Sequence, residues 1–247
     1  MKHFVLLLLV TLTTFAAELT ITTQDGFKLY GWLNKPQNSK EATPLILFAH
    51  QFGSDHSSWS DIAKKFNAKG YATLLVDLRG HGKSIYQNAK ENKIISTPVL
   101  SELKIAVAQS DKKVGFSNIP QDLMNWLEFV AQDESLNMDK LYLFGSSLGA
   151  GSLIPLLNEY EAKALVAIST GGLASLKDDA EMALSTSMTK ELFIVAKNDP
   201  LGAKERSLAY TQSSIFGTTI IVSGDGHGTV LLPQVEDYIF TFMDNIK

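Results

Sequence analysis

From residue 44 onward the apolar residues fall into short unbroken blocks. Pro44–Ala49, Ala72–Asp77, Lys140–Gly145, Ala164–Ser169, Glu191–Ala196 and Thr218–Ser223 are each rich in Val, Ile, Leu and Phe. Runs this short and this continuous fit strands buried on both faces of a parallel sheet. Helical patterns fill the spaces between them: Ser58–Lys69, Asn118–Gln132, Ser147–Tyr160 and Leu201–Gln212, with Thr229–Ile246 at the end. Ahead of the first run, Glu18–Thr23 and Phe27–Asn34 flank Gln24-Asp25-Gly26, a hairpin signal with Asp-Gly at the turn. An antiparallel start followed by strand–helix alternation predicts an α/β fold, a mostly parallel doubly wound sheet with an antiparallel N-terminal hairpin. Pro155 lies about two turns into the helix expected from Ser147 and predicts a bend or break there.

One stretch departs from this rhythm. Residues 85–117 separate the strand Ala72–Asp77 from its helix, and loops much longer than about 12–15 residues are usually functional or disordered. Thr97-Pro98 reads as a helix start. Over 98–109, Val99, Leu103, Ala106 and Val107 fall on one face, with Ser101 and Lys104 on the other. The segment is therefore a possible lid over an apolar pocket. Between Gly171 and Lys190 there is room for one helix and its turns, so no large cap is expected.

The first residues follow another logic. Lys2 and His3 precede the apolar run Phe4–Leu12, and mostly small residues follow to Ala17. This predicts a secretory leader over 1–17, cut after Ala16 or Ala17 and followed by one domain over 18–247, in an exported protein. The run is too short to span a bilayer, which takes about 20 residues, so no membrane span is expected in the mature chain. The net charge of −4 argues against a nucleic-acid partner. The absence of cysteine excludes disulfides, thiolate metal sites and a cysteine nucleophile.

The chemistry concentrates at three points. Gly145-Ser146-Ser147-Leu148-Gly149 matches G-x-S-x-G, preceded by the strand Leu141–Phe144 and followed by a helix rich in small residues. A sharp strand-to-helix turn lifts a serine hydroxyl clear of the sheet, and the helix N-terminus lends positive potential where an oxyanion forms. Of the five histidines, His227 sits in Gly224-Asp225-Gly226-His227-Gly228 just after the last strand, free to swing over Ser147. His50 and His81, in turns, read as structural, and His56 as a helix-opening residue facing water. Asp199, following the strand Glu191–Ala196, is the favoured orienting carboxylate, with Asp178, Asp179 and Asp225 as competitors. The order Ser…Asp…His and the position at strand C-terminal ends favour Ser147, Asp199 and His227 as catalytic residues.

Two further motifs carry a family resemblance. His50-Gln51-Phe52-Gly53, leading to a helix that opens at Trp59, resembles the His-Gly-x-Gly oxyanion loop of the α/β-hydrolase superfamily. Asp77-Leu-Arg79-Gly-His81-Gly-Lys-Ser84 resembles that superfamily's Asp-x-Arg-Gly-His-Gly-x-Ser turn. The resemblance spans essentially the whole mature chain and is closest to small capless dienelactone-hydrolase-like and prolyl-oligopeptidase-like domains. It implies an oxyanion hole from the backbone N–H groups of Phe52 and Leu148. Gln51 departs from the pattern, standing where the family usually has Gly. Dienelactone hydrolases proper use Cys, so their substrate is not carried over.

The expected activity is that of a serine hydrolase cleaving esters or thioesters of small acyl substrates, with no cofactor and no metal. An acyltransferase or a peptidase could use the same residues, and a silent binding protein could keep the fold.

Overall fold

The computed structural model describes residues 16–37 and 41–246. The leader expected over 1–17 lies outside the described residues except for Ala16 and Ala17, and strand β1 begins at Ala17. No helix among the described residues is long and apolar enough to cross a membrane.

The strands are β1 (Ala17–Thr22), β2 (Phe27–Asn34), β3 (Thr43–Ala49), β4 (Ala72–Asp77), β5 (Tyr86–Gln87), β6 (Lys90–Glu91), β7 (Leu136–Ser146), β8 (Ala164–Ile168), β9 (Lys190–Ala196) and β10 (Gly217–Val222). The helices are α1 (Ser60–Ala68), α2 (Leu103–Val114), α3 (Ile119–Val130), α4 (Leu148–Leu153), α5 (Lys177–Thr186), α6 (Ala203–Ser213) and α7 (Leu232–Asp244). One sheet runs in the order β10-β9-β8-β7-β3-β4-β2-β5-β6, with β1 paired to β2. From β10 to β4 all neighbours are parallel; β2 pairs antiparallel with β4, β1 and β5. This is the doubly wound α/β sheet with an antiparallel N-terminal hairpin that the hydrophobic pattern predicts.

Both faces are covered. On one, Ile46, Phe48, Phe144, Val166 and Ile194 pack beneath α1 (Trp59 just before it, Ile62, Phe66) and α7 (Val235, Ile239, Met243). On the other, Leu45, Leu47, Leu143, Leu165 and Phe193 pack beneath α3, α4, α5 and α6. Alternate residues of each central strand enter opposite cores, so these strands read as continuous apolar runs rather than as alternating ones. Each fully buried Leu, Ile or Phe contributes about 1.5–3 kcal/mol of transfer free energy.

The Asp77–Ser84 turn is a fastening point. The Arg79 guanidinium, buried, pairs with Asp122 of α3 (2.6 Å) and Asp25 of the β1–β2 turn (2.9 Å). It also donates to the carbonyl of Val114, in the last turn of α2 (3.3 Å). Asp77 accepts from the backbone and Nδ1 of His56 and from the backbone of Lys83. His56, expected to face water, is instead braced there and stacked on Trp32 at 3.4 Å.

One local expectation is met and another needs correction. The helix from Ser147 is α-helical only to Leu153 and continues as a 3-10 turn over Ile154–Asn158, the break falling beside Pro155, whose ring removes one donor. The segment 85–117 is not loop plus helix 98–109. It opens with the two-strand hairpin β5–β6, turned through Asn88 and Ala89 at positive φ. Pro98 stays outside the helix, Leu100–Glu102 form a 3-10 turn, and α2 runs on to Val114, where Gly115 ends it in the left-handed region. Its stripe is also rotated. Val99 is 45% exposed, whereas Ala106, Ser110 and Val114, spaced four apart, are the buried row.

Candidate active site

Ser147 stands at the junction of β7 and α4 with φ 46° and ψ −113°, a conformation L residues avoid. Strain of this kind costs on the order of 1–3 kcal/mol and persists only where its surroundings enforce it. Here the Ser147 amide donates to Ile168 O (2.9 Å), and its carbonyl accepts from the amides of Gly151 (3.0 Å) and Gly171 (2.8 Å). The glycines of the motif have a steric reason. A Cβ on Gly145 would lie 2.5 Å from Ala150 Cα, and one on Gly149 would lie 2.4 Å from the carbonyl oxygen of Ala49. Only glycine lets α4 sit this close to β7 and β3.

The structure brings Ser147, His227 and Asp199 together. Ser147 Oγ and His227 Nε2 are 2.7 Å apart, and His227 Nδ1 and Asp199 Oδ2 are 2.8 Å apart. The Asp199 side chain is fully buried, while that of His227 is 16% exposed. Burial alone would raise the Asp199 carboxyl, but the His227 hydrogen bond and charge, the Leu201 amide and the nearby Ser169 hydroxyl bring it below the usual carboxylate range. An ionised Asp199 accepts from Nδ1–H, leaving Nε2 free to accept from the serine hydroxyl. Asp178 and Asp179 lie in the first turn of α5.

The other buried histidines are committed elsewhere. His50 Nε2 accepts from the Leu78 amide (3.0 Å) and its Nδ1–H donates to Gln51 O (2.8 Å). Burial lowers its pKa. His81 donates from Nδ1 to Arg79 O (3.0 Å), and burial, with His50 beside it, pushes its pKa down to about 3.

Phe52 and Leu148 both border the cleft at Ser147. The Leu148 amide opens α4, where the first N–H groups have no intrahelical acceptor. Gln51, the departure from the family pattern, needs no left-handed backbone; the positive φ falls at Gly53 (76°). Its side chain braces the site: Oε1 accepts from Ser146 Oγ (2.5 Å) and Thr229 Oγ1 (3.2 Å), tying the loop after β3 to the elbow and to the His227 loop.

The cleft has a volume of about 300 Å³. Leu103 and Val107 of α2 face it together with Phe52, Leu173 and Leu201. Lys104, expected on the far side of α2, is also on its wall, because the helix presents the 103–104–107 edge to the cleft. Arg206 of α6 completes that wall. No sequence motif points to Lys104 or Arg206 at the cleft, because their placement depends on how α2 and α6 pack. Ser169, which the sequence reading did not single out, follows β8 at the same sheet edge as Ser147 and has φ 48°.

One group of described residues, Asp55, His56 and Asp77, has ligand atoms close enough to hold an ion. Those atoms already accept or donate within the fold, Asp55 capping Ser57 and Asp77 holding His56 and Lys83.

No curated protein matches the sequence as a relative. Among solved structures, Est1E from Butyrivibrio proteoclasticus with ferulic acid bound superposes with a TM-score of 0.69 at 18% identity, covering 92% of this chain and 98% of that one. An acetyl xylan esterase from Paenibacillus sp. R4 gives 0.68 at 14% identity over 92% and 83%. An α-β serine hydrolase homologue from Coxiella burnetii gives 0.65 at 14% identity over 96% and 100%. At these identities the likeness is one of fold. Residues 40–197 match the hydrolase family described as serine aminopeptidase, S33. That match takes in more than half of the chain, including the loop after β3, the Asp77–Ser84 turn and the Ser147 elbow, and the chain is accordingly a member of this α/β-hydrolase family, a serine hydrolase.

Proposed function

We propose that the protein hydrolyses carboxylic esters, and the thioesters of the same acyl groups, through an acyl-enzyme on Ser147. The observation that carries this reading is the hydrogen-bonded chain Ser147 Oγ–His227–Asp199 opening onto the cleft. In the reaction, Ser147 Oγ attacks the carbonyl carbon as His227 Nε2 takes its proton. Asp199 keeps Nδ1–H in place and stabilises the imidazolium that forms. The tetrahedral oxyanion is held by the amides of Leu148 and Phe52, each such donor contributing about 2.7–4 kcal/mol in comparable sites. His227 then protonates the departing alkoxide or thiolate, and a water, deprotonated by the same nitrogen, releases the acid.

The apolar cleft walls suit an acyl chain or aromatic ring. Structural relatives that bind ferulic acid or are acetyl xylan esterases support ester substrates. The family's description raises an aminopeptidase as the second reading. That activity needs an anion for the substrate's terminal ammonium, and no carboxylate of the described residues lines the cleft. Transfer of the acyl group to an acceptor other than water uses the same steps. A panel of p-nitrophenyl esters of rising chain length, acyl thioesters and aminoacyl p-nitroanilides tests the reading. Turnover of the esters, lost in Ser147→Ala, is expected; turnover of the anilides alone would replace it with the peptidase.

A further inference from the structure

The cleft beside Ser147 is charged in one sense only. Lys104 from α2 and Arg206 from α6 both line it, and no carboxylate of the described residues does. The chain as a whole carries a net charge of −4, so this local excess of cations runs against the molecule's average. Neither cation forms an ion pair with a described carboxylate; Lys177 and Lys204, on the same helical layer, both do.

Arg206 is held in place. Its Nη1 donates to the carbonyl of Thr170 (2.9 Å), and its side chain lies across Gly172, where a Cβ would come within 2.5 Å of Nε. The neighbouring Gly171 packs as closely on the backbone of Ser147, a Cβ there lying 2.6 Å from Ser147 C. Two successive glycines thus let the nucleophile press on one side of this loop and the guanidinium on the other. One protein acceptor leaves most of the guanidinium's five N–H donors free. A half-buried, pre-positioned guanidinium with free donors is suited to a planar carboxylate, which it can take with two parallel hydrogen bonds. Lys104 adds a mobile point charge from the facing helix, beside Leu103 and Val107. Phe52, Leu173 and Leu201 add apolar wall to the same cleft.

We infer that the cleft selects substrates bearing a carboxylate remote from the scissile ester, bound by Arg206 and Lys104. This rests on the ester-hydrolase reading and names the substrate class for it. A positively charged wall of this kind raises the local concentration of anionic substrate and strengthens as salt is lowered.

The test uses matched pairs that differ only in charge. For an acyl-side carboxylate the pair is mono-p-nitrophenyl adipate and its methyl-capped ester. For an alcohol-side carboxylate it is 3-(4-acetoxyphenyl)propanoate and its methyl ester. In at least one pair kcat/KM is expected to favour the anion by about tenfold, the factor that corresponds to one well-placed charge contact of 1.4 kcal/mol. The preference should reside in KM and shrink at high ionic strength. It should fall towards one in R206Q and in K104M, and R206K should recover part of it. K104M alters an exposed side chain and keeps the test open if R206Q folds poorly. Equal rates for anion and methyl ester in both pairs, or a preference that survives both substitutions, would overturn the inference. If no ester is turned over, the hydrolase reading fails, and the charge claim is then read separately: adipate should slow fluorophosphonate labelling of Ser147 in the wild type and not in the R206Q/K104M double variant. Equal slowing in both proteins, or none in either, would overturn it.

Discussion

Ser147 combines two demands that ordinarily conflict: an exposed, hydrogen-bonded hydroxyl and a backbone at positive φ. Three backbone hydrogen bonds and two glycines meet the second demand, so the first comes at no cost in mobility. In the proposed mechanism Ser147, His227 and Asp199 act as one unit, which gives the predicted pattern of losses. Ser147→Ala and His227→Ala should each lower ester kcat by at least about 10³-fold, and combining them should cost little more than either alone. Asp199→Asn should also cost about 10³–10⁴-fold, because the amide would present its NH2 to Nδ1 and favour the wrong tautomer. Steady-state kinetics on one activated ester, with circular dichroism to confirm folding, reads all of these. A harmless Asp199→Asn would reassign the acid.

At the scale of elements, α2 serves two surfaces. Its Ala106–Ser110–Val114 row packs on the body, and Arg79 holds the Val114 carbonyl, while Leu103 and Val107 face the cleft. We propose that α2 is a fixed wall of the substrate pocket. Leu103→Ala together with Val107→Ala should then weaken long-chain esters relative to acetate, mostly through KM, since a remote apolar wall supplies uniform binding. The same chain-length profile as wild type would leave α2 without that role. A second element-scale prediction concerns Glu191, at the start of β9. It is fully buried, neither carboxylate oxygen has a partner, and burial pushes its pKa up to about 7. The folded state therefore keeps a proton that the unfolded chain loses above about pH 4.5, so this residue lowers stability progressively from there to about pH 7. Glu191→Gln should raise stability at pH 8 by roughly 2–3 kcal/mol and change it little at pH 4. Denaturant melts at the two pH values check the sign; a larger gain at pH 4 would contradict it.

For the whole molecule, the doubly wound sheet gathers residues from distant parts of the chain along one edge. Ser147, Ser169, Asp199 and His227 all follow the C-terminal ends of parallel strands. That is why so much of the site was legible in the sequence. Continuous apolar runs identify the central strands, and a polar residue just beyond each run is at the sheet edge whatever the side-chain packing. Ser147, Asp199 and His227 were found in this way, and the Gly-x-Ser-x-Gly spacing reflects the close approach of α4 to its neighbours. What depends on packing was not legible. The two-residue strands β5 and β6 are too short for any periodicity. The rotation of α2 could not be read from a stripe in which apolar residues serve both the body and the cleft. Lys104 and Arg206 acquire their position only through the helices that carry them. Gln51, a departure from the family pattern, owes its role to packing as well, since Ser146 and Thr229 share its side chain.

The central claim is that Ser147 is an activated nucleophile. Its most direct test is mass spectrometry of the intact protein after reaction with a fluorophosphonate, followed by peptide mapping. One adduct per chain, on Ser147 and lost in His227→Ala, is the predicted result. An unlabelled protein, an adduct on another residue, or labelling of Ser147 at the same rate without His227 would contradict it.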